Sequence, residues 1–73
     1  MEPGQLFVKK YYENGKLLKE KEIRFIGETK DAYVFGFQYK HKLILIHVGK
    51  SNFPTHKWKV SPTIFAFSII TPK

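Results

Sequence analysis

The chain has 73 residues, of which 42% are hydrophobic and 16% aromatic, and its formal net charge is +7. This length predicts one small domain over residues 1–73, and the absence of cysteine excludes disulfide staples and the zinc-ribbon and zinc-finger classes. Packed side chains must therefore hold the fold. The longest apolar-rich run, Thr63–Thr71, is far shorter than the ~20 residues of a membrane helix, and the amino terminus does not resemble a signal peptide. We expect a soluble cytoplasmic protein with no membrane contact.

Two strands are predicted around Asn14-Gly15, which is the preferred pair for a two-residue type I′ hairpin turn. A helix over residues 16–26 is the alternative, because leucine, lysine and glutamate favour helices. Its apolar stripe would be interrupted at Lys21 and Glu22, so we favour a strand. The turn implies a register with two oppositely charged pairs, one like-charged pair and one apolar pair. These are Glu13 with Lys16, Lys9 with Glu20, Lys10 with Lys19, and Leu6 with Ile23.

The clearest strand signal is the alternation of residues 32–39, which places Tyr33, Phe35, Phe37 and Tyr39 on one face. A two-residue connection, Lys40-His41, leads to a second strand, Leu43–Val48, that is apolar at almost every position. In the implied register, Phe37 faces Ile44, Phe35 faces Ile46, and Tyr33 faces Val48. Strands that are apolar on both faces are usually covered on both. This hairpin is therefore predicted to form the centre of the fold, with the aromatic stripe in the core.

The remaining chain is predicted to be irregular over residues 49–57 and to form a last strand at Thr63–Thr71, with Trp58–Val60 as a candidate for a short strand before it. The expected fold is all-β, with little or no helix. It is a small five-stranded antiparallel barrel or strongly curved sheet, similar in size to SH3-like and OB-like barrels.

Catalytic and metal-binding patterns are not found in this sequence. All six carboxylates lie within the first 31 residues, and no glycine-rich phosphate loop or nucleophile–base spacing is present. The histidines, His41, His47 and His56, do not form a recognisable ligand pattern. We predict a protein that is not an enzyme and needs no metal or cofactor.

Positive charge is distributed unevenly along the chain. Residues 1–31 contain seven basic residues and all six acids, whereas residues 32–73 contain six lysines and no acid. Such a field attracts polyanions. The lysines of the 40–42 turn and the 49–59 loop would neutralise phosphates, and an embedded tryptophan would stack on bases unless it plugs one end of the barrel. The candidate nucleic-acid-binding residues are Lys40, Lys42, Lys50, Lys57, Trp58 and Lys59.

The predicted function is therefore nucleic-acid binding, to DNA or RNA, with weak sequence specificity because lysine does not read bases bidentately as arginine does. Small size and basic β character resemble the general class of archaeal chromatin proteins and of OB or SH3-like nucleic-acid binders, without a motif specific to one of them. The alternative is a protein-binding module, such as an inhibitor or adaptor of viral or mobile-element origin, that docks by a basic face or a strand edge. The chain is expected to be a monomer or a homodimer, because an open sheet leaves edges to be covered.

Overall fold

A computed structural model describes all 73 residues, and it folds them into one antiparallel sheet that curls into a half-barrel. The strands are β1 (Leu6–Glu13), β2 (Lys16–Glu28), β3 (Ala32–Tyr39), β4 (Lys42–Gly49), β5 (Thr55–Ser61) and β6 (Ile64–Pro72). Their order across the sheet is β4-β3-β2-β1-β6-β5, so that β4 and β5 form the two edges. The only helical segment is a 3₁₀ turn, Lys50–Asn52. The predicted all-β class, as a curved sheet with little or no helix, is confirmed.

The sheet has six strands rather than five because the short strand predicted at Trp58–Val60 is part of a full strand, β5, which also includes residues 55–57 of the segment predicted to be irregular. This strand pairs with β6 from Thr55, opposite Ile69, to Ser61, opposite Ile64. Prolines lie on either side of it, at Pro54 and in the turn after Ser61. Their missing N–H groups therefore interrupt no part of the ladder.

The β1–β2 hairpin has the predicted turn but a different register. Asn14 and Gly15 have φ values of 50° and 77°, as a type I′ turn requires, and Glu13 lies opposite Lys16. A bulge between Tyr11 and Tyr12 then shifts the pairing by one residue, and Phe7 lies opposite Ile23.

The bulge has a physical reason in the core. Cross-strand partners share a face, so the shift brings Phe7 and Ile23 together on the buried side, where a simple register would have separated them. The other predicted pairs are therefore wrong, namely Lys9 with Glu20, Lys10 with Lys19, and Leu6 with Ile23. The helix alternative for residues 16–26 is also wrong, because β2 is a continuous strand.

The core lies on the concave face and is built around Phe35, whose side chain is fully buried. The rings of Phe7 and Phe25 each meet Phe35 edge to face at a centroid distance of 5.5 Å. Phe53, from the connection between β4 and β5, stacks near the same ring at 6.2 Å. The β3–β4 register is the predicted one, with Phe35 opposite Ile46. The aromatic stripe of β3 therefore contributes to the core as expected, except at its exposed end.

The prediction that the β3–β4 hairpin forms the centre of the fold is wrong for β4, although Phe35 of β3 does lie at the centre of the core. β4 is an edge strand, and its convex face exposes Leu43 by 61% and Leu45 by 51%. The physical reason is that the chain builds only one layer. The concave face curls over its own core, and no second layer covers the convex face.

The two ends of the half-barrel differ. β1, β3 and β5 run in the same direction, so the turns Asn14-Gly15, Lys40-His41 and Pro62-Thr63 all lie at one end, which we call the open end. The core lies towards the opposite, closed end. Pairing between β2 and β3 stops at Gly36 on β3. The strands separate beyond it, and a gap of about 440 Å³ opens beside Lys21 and Tyr39.

We expect Phe35→Ala to destabilise the fold by about 3–5 kcal/mol, because truncation of a buried phenylalanine removes transfer free energy and leaves a cavity. Chemical denaturation measures this loss. Phe65→Ala is the matched control, since Phe65 is 58% exposed on the convex face, and its change should be within about 1 kcal/mol. Equal losses for the two variants would contradict the position assigned to the core.

Candidate nucleic-acid interface

Most basic side chains of this protein have no acidic partner. Of the 13 lysine and arginine residues, only Lys50 and Lys73 form ion pairs, with Glu28 and Glu22 respectively. The others have no carboxylate within 4.0 Å. Their charge is therefore free to act on a polyanion.

Lysines and glutamates of β2 point to opposite faces of the sheet. The segment Lys19-Glu20-Lys21-Glu22 alternates in charge, and successive side chains of a strand alternate between faces. Lys19 lies opposite Tyr11 and Lys21 lies opposite Lys9, on the face that also buries Phe7 and Ile23. The strand therefore directs its lysines into the concave side and its glutamates to the convex side.

Cross-strand partners on the concave face form rows that run across the sheet, and these rows continue from β1 across β6 to β5. Tyr11 lies opposite Ser68, which lies opposite His56. In the next row towards the open end, Ala66 lies opposite Trp58. The rings of His56 and Trp58 are 5.3 Å apart. Because Ser68 and Ala66 are small and buried, they form a floor between Tyr11 on one side and the His56–Trp58 pair on the other.

On the other wall of the half-barrel, Tyr39 lies opposite Lys42 near the Lys40-His41 turn. By strand periodicity both share the concave face with Phe35 and Phe37. The only carboxylate in the open-end rows is Glu13, which lies opposite Lys16. We call this open-end concave surface the basic groove, and it consists of Lys9, Tyr11, Lys19, Lys21, Tyr39, Lys42, His56 and Trp58.

The groove carries an electrostatic cost in the unbound protein. Lys9 and Lys21 lie directly opposite each other, and like charges in such a cross-strand pair are destabilising. Aromatic rings partly compensate by cation–π contacts. The ammonium groups of Lys9 and Lys19 lie 5.1 and 4.7 Å from the Tyr11 ring centroid, and that of Lys21 lies 4.0 Å from the Phe37 centroid. An anion placed between these lysines would remove the repulsion.

The six candidate nucleic-acid-binding residues predicted from the sequence lie at three different places in the structure. Lys42 and Trp58 lie in the basic groove, and Lys40 lies at its rim, 5.6 Å from the ring of Tyr39. Lys57 and Lys59 lie on the convex face, opposite Phe67 and Phe65 of β6. Lys50 lies at the closed end, where its ammonium is 2.6 Å from a carboxylate oxygen of Glu28.

Sequence reasoning missed the lysines at the centre of the groove, which are Lys9, Lys19 and Lys21. The charge alternation over residues 19–22 could have identified them. In the strand predicted for this segment, alternating residues point to opposite faces, so the lysines share one face and the glutamates share the other. The net charge of residues 1–31 is close to zero, because it sums the lysines of one face of the strand and the glutamates of the other. The sum therefore gives no indication of a basic face.

Metal ligands are not clustered in this structure. His41 lies in a turn, His47 lies opposite Val34 on the edge hairpin, and His56 lies in the groove. No group of three histidine or acidic side chains lies close enough to hold a metal ion.

Comparisons with protein-family models, curated protein sequences and solved structures find no match to this chain. No helix of the structure has the length and apolar character that crossing a membrane would require.

The ion pair at the closed end predicts a small pH dependence of stability. The hydrogen bond and the charge of Lys50 lower the pKa of Glu28, and the hydrogen bond to Glu28 raises the pKa of Lys50. A lowered carboxyl pKa contributes stability above the ordinary pKa of glutamate, and this contribution is lost as the pH falls through the lowered value.

Glu28→Gln should therefore lower the melting temperature slightly at neutral pH, and the difference from the parent should vanish in acid. Thermal unfolding followed across the acid range measures it. The effect is small because both side chains are exposed to solvent. Glu20→Gln, which removes a carboxylate without an ion pair, is the control. A difference for Glu28→Gln that persists in acid would show that the pair does not contribute in this way.

Proposed function

We propose that this protein binds nucleic acid in the basic groove, without catalysis and with weak sequence specificity. One observation carries the proposal: Lys9, Lys19 and Lys21 converge on the concave face without acidic partners, and two of them oppose each other directly. A phosphate backbone supplies the closely spaced negative charges that such a cluster lacks. Lys42 in the groove and Lys40 at its rim extend the same field towards β4.

Single-stranded nucleic acid is the form that the groove fits best. Tyr39 is 59% exposed and Trp58 is 38% exposed, and both project from the walls of a surface whose middle is rich in lysine. Exposed aromatic faces among cations stack unpaired bases, as in other proteins that bind single strands. Bases would stack on Trp58 and Tyr39 while phosphates contact the lysines.

Weak sequence specificity follows from the types of side chain in the groove. Lysine is a point charge that neutralises a phosphate but does not recognise a base edge bidentately. The only arginine, Arg24, is outside the groove and donates a hydrogen bond to the carbonyl oxygen of Gly4. Affinity should therefore depend on charge and stacking more than on base order.

Binding of an acidic protein, the alternative function, is favoured by one observation on the convex face. Phe65 is 58% exposed and has the ammonium group of Lys59 5.4 Å from its ring centroid. The neighbouring rings of Tyr12 and Phe67 are stacked at 4.7 Å. This surface is apolar with cationic borders, so the two functions would use opposite faces of the sheet.

Two double variants that remove the same charge, one from each face of the sheet, compare the contributions of the two faces to binding. We expect Lys9→Ala combined with Lys21→Ala to weaken binding to single-stranded oligonucleotides, and the slope of log affinity against log salt to become shallower by roughly 1.4, the value for two phosphate contacts. The loss of these two charges should not lower the stability of the fold, because Lys9 and Lys21 repel each other in the parent. Fluorescence titrations at several salt concentrations measure both quantities.

Lys57→Ala combined with Lys59→Ala is the matched control for that experiment, because it removes the same charge from the convex face. Its effect on the slope should be smaller. A larger effect from this control would assign the contact to the convex face of β5. If the parent does not bind any oligonucleotide at low salt, the proposed function is wrong.

Trp58→Ala tests the stacking role of the tryptophan. Binding to single strands should weaken by about 1–3 kcal/mol, while stability holds, because Trp58 lies outside the buried core cluster. Phe65→Ala is the control, since it removes an exposed aromatic ring from the other face. If Trp58→Ala destabilises the fold as much as Phe35→Ala, the tryptophan has a structural role and does not serve as a stacking platform.

A further inference from the structure

The edge strand β4 has a free hydrogen-bonding edge. It pairs only with β3, in a register without a bulge from Lys42 to Gly49. None of the backbone or side-chain hydrogen bonds outside the ladders involves these eight residues. The N–H and C=O groups that point away from β3 therefore have no partner within the chain, and such an edge is a template for another strand.

The other edge strand, β5, is protected in the ways that natural sheets use. Lys57 and Lys59 lie along it, its register shifts between Lys59 and Ser61, and Pro54 and Pro62 stand just outside its ends. Lysine, bulges and proline all discourage pairing with a further strand. β4 has only Lys42, at its first position, and no proline or bulge.

Side chains on both faces of β4 are apolar and exposed. Leu43 and Leu45 project from the convex face with 61% and 51% exposure, and Ile44 projects from the concave face with 36% exposure. A strand with this composition is typical of a covered position in a sheet. Within the chain, nothing lies beyond the first half of this strand, residues 42–45, whereas the second half faces a gap of about 170 Å³ that Pro54 and His56 also line.

We propose that β4 pairs antiparallel with β4 of a second copy of this chain, with the two-fold axis at Ile44. In this register Ile44 lies opposite its own copy, and Leu43 lies opposite Leu45 of the other chain. Every central pair is then apolar. The apolar segment is thus complementary to itself, which an isologous dimer contact requires.

Charge favours the antiparallel arrangement of the two copies. A parallel arrangement would place the two basic turns, residues 40–42, side by side. The antiparallel arrangement keeps them apart and brings each towards the closed end of the other chain, where the two lysines, Lys30 and Lys50, are balanced by Glu28 and Asp31. Because β5 is protected, assembly stops at two chains and forms one continuous twelve-stranded sheet. This inference goes beyond the proposed function and does not depend on it.

Sedimentation of the nuclease-treated full chain over a range of concentrations tests the dimer. The parent should show a monomer–dimer equilibrium, and Leu45→Lys should weaken it by about tenfold or more, because each new lysine replaces the apolar partner of Leu43 in the other chain and the two lysines become diagonal neighbours of like charge on one face. Val60→Lys is the matched control, since Val60 is 53% exposed on the other edge strand, and it should dimerise as the parent does. A parent that stays monomeric, or one that forms larger assemblies, overturns the proposal.

Cysteine cross-linking tests the register, because the natural chain has no cysteine. Ile44→Cys should form a disulfide between two copies on mild oxidation, since residues on the axis bring their Cβ atoms within the range that a disulfide needs. Val60→Cys should not cross-link at the same concentration. Circular dichroism confirms that each variant is folded. Equal cross-linking of the two variants would show that the contact is random collision and would overturn the assigned register.

Discussion

The edge-to-face contacts of Phe35 with Phe7 and Phe25 determine how this sheet curls. These rings come from three adjacent strands, β3, β1 and β2, and their centroids lie 5.5 Å from that of Phe35. To bring them together the sheet must bend inwards at the closed end, where Phe53 packs over the same cluster. A chain of this length buries too little apolar surface to repeat such a cluster at the other end. The open end, with its separated strands, is therefore a consequence of where the aromatic rings lie.

The open end tolerates an unfavourable arrangement of charge because the buried core at the closed end stabilises the fold. Lys9 and Lys21 repel each other across the β1–β2 ladder, and no packing requirement of the core demands lysine there. Local violations of the rules for stability are expected at functional sites, where other parts of the fold compensate for them. Here the compensation is local as well, since the rings of Tyr11 and Phe37 lie beneath the ammonium groups. The lysines are thus held together in the groove without an anion being needed for folding.

The sequence predicts some parts of this structure and not others, for identifiable reasons. The β3–β4 register follows from strict alternation and a two-residue connection, both of which are local. The β1–β2 bulge is not local, because it is required by the burial of Phe7 beside Ile23 in a core that other strands complete. The edge position of β4 could not be predicted, because an apolar strand looks the same whether its own chain or another molecule covers it. Among the candidate residues, Trp58 and Lys42 lie in the groove, whereas Lys57 and Lys59 take the opposite face because side chains alternate along a strand.

The sheet order explains why charge counted along the chain is a poor guide to charge in space. Each of the three hairpins carries a net charge of +2: residues 6–28 have six basic and four acidic residues, and residues 32–49 and 55–72 each have two lysines and no acid. Only β1–β2, in the middle of the sheet, places three lysines on the concave face, whereas the lysines of β5 lie on the convex face. An antiparallel pairing at β4 would have a further geometric effect, because a two-fold axis perpendicular to the sheet leaves both concave faces on the same side. Two grooves on one side of a continuous sheet can hold a single polyanionic strand together. The second contact is then intramolecular, so a groove of modest affinity would be sufficient for tight binding.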